Sequence, residues 1–109
     1  MKSVTDSSFP ADVLQAEGPV VIKFEARWCQ PCKAMTPTLD SIEKELAGKV
    51  TFVKADVEHC VAATQRFKVG QVPALVAVKD GIVTSMKTGA APKQEILKWV
   101  DLAFPGLRD

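Results

Sequence analysis

Apolar positions along the chain switch between two periods, and the switches mark the elements. Val20-Val21-Ile22-Lys23-Phe24 is a β-branched, mostly apolar run that extends to Ala26, and it reads as a strand buried on both faces. From Met35 the period changes, because Met35, Leu39, Ile42 and Leu46 recur at helical spacing. Pro37 falls inside that helix and should kink it, and Gly48 ends it. Val50–Asp56 reads as a second buried strand, and His59–Phe67 as a weaker helix closed by Gly70. Ala74–Val78 and Ile82–Thr88 are strands joined through Asp80-Gly81, a strong hairpin signal. Pro92 opens a last helix with Ile96, Leu97, Val100 and Phe104 on one face, and Pro105-Gly106 closes it. Before the first long strand, Ser3–Thr5 is a short edge strand. Ser8 or Asp12 caps a short helix with Phe9, Val13 and Leu14 on its apolar face, broken by Gly18-Pro19. Parallel crossovers followed by an antiparallel hairpin predict an α/β fold, a mixed sheet with helices on both faces.

Length and charge narrow the class. The 109 residues suit one domain, 1–109; 47% hydrophobic residues supply a core, and 25% charged residues match an ordinary globule. The net charge of +1, scattered along the chain, gives no reason to expect nucleic-acid or membrane-surface binding, and a monomer is expected. Met1 to Ser8 is polar, and no apolar run reaches membrane-spanning length, so a cytoplasmic location is expected. Three cysteines is an odd count, which argues against a fully paired secreted framework. In a reducing compartment a Cys-x-x-Cys pair points to catalysis or metal binding.

That pair, Cys29 and Cys32, lies where the first long strand gives way to the helix. The first turn of a helix has unpaired amide N–H groups and favours negative charge, so a thiolate there is stabilised. Two intervening residues let the sulfurs meet, and the pair can cycle between dithiol and disulfide. Cys29, at the helix start, is the better nucleophile, and Cys32, one turn deeper, resolves the mixed disulfide by attacking Cys29. The competing reading is half of a zinc site completed by His59 and Cys60. Adjacent His and Cys side chains seldom converge on one tetrahedral ion, and no second Cys-x-x-Cys exists, so no metal is expected. Cys60 reads as a small buried helix residue and His59 as a solvated one. Trp28 is either core or the wall of a groove, and Trp99 packs at the last helix.

The chain resembles the thioredoxin family over nearly its whole length. The resemblance is carried by Phe24-x-Ala26-x-Trp28-Cys29-x-Pro31-Cys32-Lys33, Pro37, Lys54 and Asp56, then by Val72-Pro73, Lys79-Asp80-Gly81 and Gly89. It implies a central mixed five-stranded sheet flanked by four helices, a cis bond before Pro73, and protein disulfide reduction with no bound cofactor beyond the Cys29–Cys32 disulfide. It also implies two kinds of partner, a thioredoxin reductase and disulfide-containing substrate proteins. Trp28, Gln30, Pro31, Val72, Pro73 and Gly89 would bind the substrate chain, the Val72-Pro73 backbone being open to strand-like pairing.

Two alternatives stay open on function: an oxidase or isomerase, and a redox-inert binding module. A His before the second cysteine would favour oxidation; Pro31 stands there and favours the reductant. The sequence also departs from the family. Lys23 stands where an Asp is usual behind the second cysteine, and Glu25 where a Trp is usual. Lys23 and Glu25 share a strand face, and by resemblance Lys54 adjoins them. A lone buried Lys is costly, so Glu25 is expected to pair with Lys23, Lys54 or both, and the three to tune Cys32. The alternative is that both side chains snorkel to solvent. A cation behind Cys32 would ease its ionisation and make a somewhat weaker reductant.

Overall fold

The computed structural model describes residues 1–107. Its strands are β1 (Lys2–Val4), β2 (Pro19–Glu25), β3 (Thr51–Asp56), β4 (Ala74–Lys79) and β5 (Ile82–Thr88). They form one sheet in the order β1-β3-β2-β4-β5. β1 and β2 both run parallel to β3, whereas β4 is antiparallel to β2 and β5 to β4. The helices are a π-helical turn (Pro10–Leu14), α1 (Gln30–Glu45), α2 (Val61–Arg66) and α3 (Lys93–Ala103). This is the mixed five-stranded sheet with four helices that the resemblance implies.

Strand alternation on β2 divides the core. Val20, Ile22 and Phe24 face the π-helical turn and α2, where they pack with Phe9, Val13, Ala63 and Phe67. Val21 faces α1 and α3, among Met35, Leu39, Ile42, Ile96 and Val100. Both clusters are fully covered, so β2 is buried on both faces, as its unbroken apolar run predicts.

Local signals locate most boundaries, with three corrections. Neither Ser8 nor Asp12 caps the first helical segment. Phe9 holds the N-cap position without a side-chain bond, Ser8 Oγ accepts from the Thr5 amide, and Asp12 lies inside the turn. The turn is π-helical: the Gln15 amide donates to the Pro10 carbonyl five residues back. The second helix begins at Val61 rather than His59, and its free amides are capped from far away, Asp6 accepting from the Ala62 and Ala63 amides at 3.2 and 3.4 Å. Gly70 does not close it. Lys68 takes the left-handed conformation (φ 54°), and the amides of Lys68 and Val69 return to the carbonyls of Gln65 and Thr64. The hairpin is as expected, with both Asp80 (φ 51°) and Gly81 (φ 81°) left-handed between paired Lys79 and Ile82.

Candidate active site

β2 ends at Glu25, four residues before Cys29, and α1 starts at Gln30. Cys29 is the N-cap of α1, and its Sγ accepts from the Cys32 amide at 3.2 Å. That bond aims one of the helix's free N–H groups at the sulfur, the arrangement that favours a thiolate. Cys29 and Cys32 are joined as a disulfide, with Cα atoms 5.3 Å apart. Their exposures are 5% and 1%, so Cys29 is the nearer to solvent. Gln30 and Pro31 fill the first turn between them and are exposed, Pro31 sitting where a missing N–H costs no helix bond. The helix continues through Pro37 to Glu45.

The sulfurs sit in a small apolar cluster of Ala26, Cys29 and Cys32, against which Val57 and Val72 pack. Trp28 is 70% exposed, so it is not core. It lines a cleft of about 170 Å³ with Val57, Thr64, Val69, Gly70, Gln71 and Val72. The Val72-Pro73 bond is cis. Pro73 is buried, and its carbonyl accepts the Gly89 amide at 2.8 Å, which ties the loop after β5 to the start of β4. The amide and carbonyl of Val72 have no partner among the described residues. Trp28 and Val72 thus share one cleft, and the Gly89 amide is bonded to Pro73, the residue after Val72. Sequence reasoning missed Val57, which follows β3, and Thr36. Thr36 was within reach of it, since Thr36 follows Cys32 by one helical turn and shares its face.

Behind Cys32 the structure resolves the question of Lys23. Its side chain is 1% exposed and does not snorkel. The ammonium has three donors and three partners: Glu25 Oε1, the Cys32 carbonyl and Thr36 Oγ1, each at 2.8 Å. Lys54 lies beside Lys23 in register but is not among its partners, nor is it paired with Glu25. The expected Glu25 pairing is therefore with Lys23 alone. Glu25 is 25% exposed and opens on a second cleft, of about 310 Å³, bordered by Ala26, Arg27, Cys32, Lys33 and Thr36.

Cys60 stands apart. It is fully buried at the start of α2, and its Sγ lies 3.1 Å from the Val4 carbonyl. Burial first, then the charges of Asp6 and Asp56, push its thiol up to about 11. His59 is exposed, as expected, and Trp99 donates to Ser85 Oγ. Among the described residues no group of three or more His, Cys, Asp or Glu could hold a metal ion. With its thiol neutral, Cys60 should resist alkylation. Iodoacetamide at about pH 8 should modify Cys29 first in the reduced native protein and reach Cys60 only on unfolding, read by peptide mass spectrometry.

A Cys-x-x-Cys disulfide beside a cleft, with its first cysteine capping a helix, defines a thiol–disulfide oxidoreductase. The sequence model of the family described as thioredoxin matches residues 1–102, so the chain belongs to the thioredoxin family and Cys29–Cys32 is its active-site disulfide. It is 43% identical over 99 residues to thioredoxin C-2 of Corynebacterium nephridii, covering 91% of this chain and 92% of that protein. It is 39% identical over 101 residues to the thioredoxin of Rhodospirillum rubrum (93% and 97% covered). To the thioredoxin of Pseudomonas aeruginosa it is 36% identical over 99 residues (91% and 92%).

Proposed function

We propose that the oxidoreductase works as a reductant of protein disulfides. The observation that carries this is the polarity of the pair: Cys29 at the helix end under an aimed amide, Cys32 deeper and covered. The Cys29 thiolate attacks one sulfur of a substrate disulfide. A Cys29–substrate S–S bond forms, and the first substrate sulfur leaves as a thiolate and takes a proton from water. Cys32 then loses its proton and attacks Cys29 Sγ. The intramolecular disulfide forms and the second substrate sulfur leaves as a thiolate that takes up the equivalent of the proton Cys32 released, so two electrons have passed to the substrate. A thioredoxin reductase returns them. A reducing compartment, the cytoplasm, suits that supply.

Substrate chains dock over Trp28, Gln30 and Pro31 and along the Val72-Pro73 and Gly89 rim. The unpartnered Val72 amide and carbonyl support strand-like pairing there, because a bound extended chain would satisfy both. An exposed Trp beside the nucleophile is a natural anchor. Trp28→Ala should raise KM for a protein disulfide about tenfold, roughly 1.4 kcal/mol of binding. It should leave turnover of a small aliphatic disulfide nearly unchanged; equal losses on both substrates would remove Trp28 from the docking surface.

The test of the function is a coupled assay in which NADPH, a thioredoxin reductase and this protein reduce a disulfide-bonded protein. NADPH consumption should depend on the chain and vanish with Cys29→Ser/Cys32→Ser. No dependence on the chain, as a redox-inert binding module would give, or consumption that persists without both cysteines, would overturn the proposal.

A further inference from the structure

Lys23 is the one buried charged side chain among the described residues. Burying an ammonium is expensive, and this one touches the backbone of an active-site cysteine. We propose that Lys23 and Glu25 form a positioning pair behind Cys32 in which the buried ammonium stabilises the Cys32 thiolate and the Glu25 carboxylate partly offsets it. The proposal rests on the reading that Cys32 is the resolving thiol.

Three observations carry it. Lys23 Nζ bonds the Cys32 carbonyl and Thr36 Oγ1, and Thr36 Oγ1 itself donates to that carbonyl at 3.3 Å. The ammonium therefore fixes the first turn of α1 against β2 and stays close to the cysteine. Second, the two charges of the pair are unequally screened. Lys23 is 1% exposed and Glu25 is 25% exposed on an open cleft. Solvent weakens the field of the carboxylate more than that of the ammonium, so the net effect at Cys32 is positive. Third, the neighbouring elements do not cancel it. On β3, Lys54 adjoins Lys23 and adds the same sign. Asp56 adjoins Glu25, but its carboxylate accepts the Glu58 amide and lies 4.0 Å from Arg27. On β4 the neighbour of Lys23 is apolar Leu75. Arg27 and Lys33 border the cleft and are also positive.

The consequence falls on the second step of the reaction. Cys32 must give up its proton before it attacks Cys29, and a stabilised thiolate makes that loss easier. The same stabilisation favours the dithiol over the disulfide wherever thiolates are populated, so it weakens the protein as a reductant in basic solution.

Lys23→Met keeps a long buried chain and removes the charge, Glu25→Gln removes the offset, and the double variant removes both. In a Cys29→Ser/Cys60→Ala background, thiolate absorbance follows Cys32 alone. Lys23→Met should raise the Cys32 midpoint by about one pH unit, tenfold in thiolate at a given pH, and Glu25→Gln should lower it. The double variant should fall between them. With Cys29 present, the glutathione equilibria of parent and Lys23→Met should differ about fivefold at about pH 9 and converge at about pH 6, where both sulfurs are protonated. A purely structural role would offset the equilibrium equally at both pH values and would overturn the proposal. So would equal midpoints, or shifts of the two single variants in one direction. If Lys23→Met does not fold, Glu25→Gln decides, an unmoved midpoint being the contrary result. If the parent protein itself reaches no reversible equilibrium with glutathione, the reductant reading fails first and the proposal with it.

Discussion

Cys29→Ser is expected to reduce disulfide exchange to the uncatalysed background, whereas Cys32→Ser should stall it halfway. The two cysteines stand at the N-cap and in the first turn of α1 but do different work. A serine hydroxyl at the N-cap would still accept the Cys32 amide, so α1 should keep its cap and the fold should survive. It cannot form an S–S bond with substrate, so no first step occurs. With Cys32 replaced, the first step proceeds and the second has no nucleophile. Mixed disulfides between Cys29 and substrate should then accumulate, visible as a covalent adduct of the combined mass that dithiothreitol releases. Adducts captured through Cys32 in the Cys29→Ser protein, and none in the converse variant, would reverse the assignment.

Phe24→Ala should be the costliest single change in the strand that leads to the site. Phe24 has no exposed surface, and its ring meets Phe67 edge-on with centroids 6.2 Å apart. Phe67 in turn meets Phe9 at 5.8 Å, so one ring joins β2, α2 and the segment before the π-helical turn. Truncation leaves a cavity between three elements, and the expected loss is about 3–5 kcal/mol. That is a large part of the roughly 5–15 kcal/mol that holds a typical domain together. The urea midpoint should fall with little change in slope, and Tm should drop by about 4–8 °C per kcal/mol. A loss under about 1 kcal/mol would mean that the site collapses around the gap, and that Phe24 is not the joint between β2 and α2 described above.

How much of this the sequence carried depends on whether the cause was local. The apolar run at Val20–Phe24 and the Asp80-Gly81 turn are set by neighbours in the chain, and β2 and the hairpin appear where these predict. The cysteine pair at a strand–helix junction is local too, and so is its chemistry. The sheet order β1-β3-β2-β4-β5 comes from pairing between distant segments, which no periodicity encodes. The same holds for the cap on α2, supplied by Asp6 from 56 residues away. Lys68 in a left-handed cap was invisible because glycine is the residue expected there, and Gly70 lay two positions beyond. For Lys23 and Glu25, period-two spacing put the charges on one face, and the resemblance put Lys54 beside them. Only the packing of α1 shows that the other two partners of Lys23 are Thr36 and the Cys32 carbonyl rather than Lys54 or solvent.

The direction of electron flow is the centre of the account, and one equilibrium decides it. The protein is brought to equilibrium with reduced and oxidised glutathione at about pH 7, quenched with acid, and its dithiol and disulfide forms are counted by mass. A reductant of the kind proposed should lie nearer to about −270 mV than to the glutathione couple, and remain mostly disulfide in buffers where glutathione is largely reduced. A potential near about −120 mV, with the dithiol persisting against excess oxidised glutathione, would mark an oxidase and contradict the account.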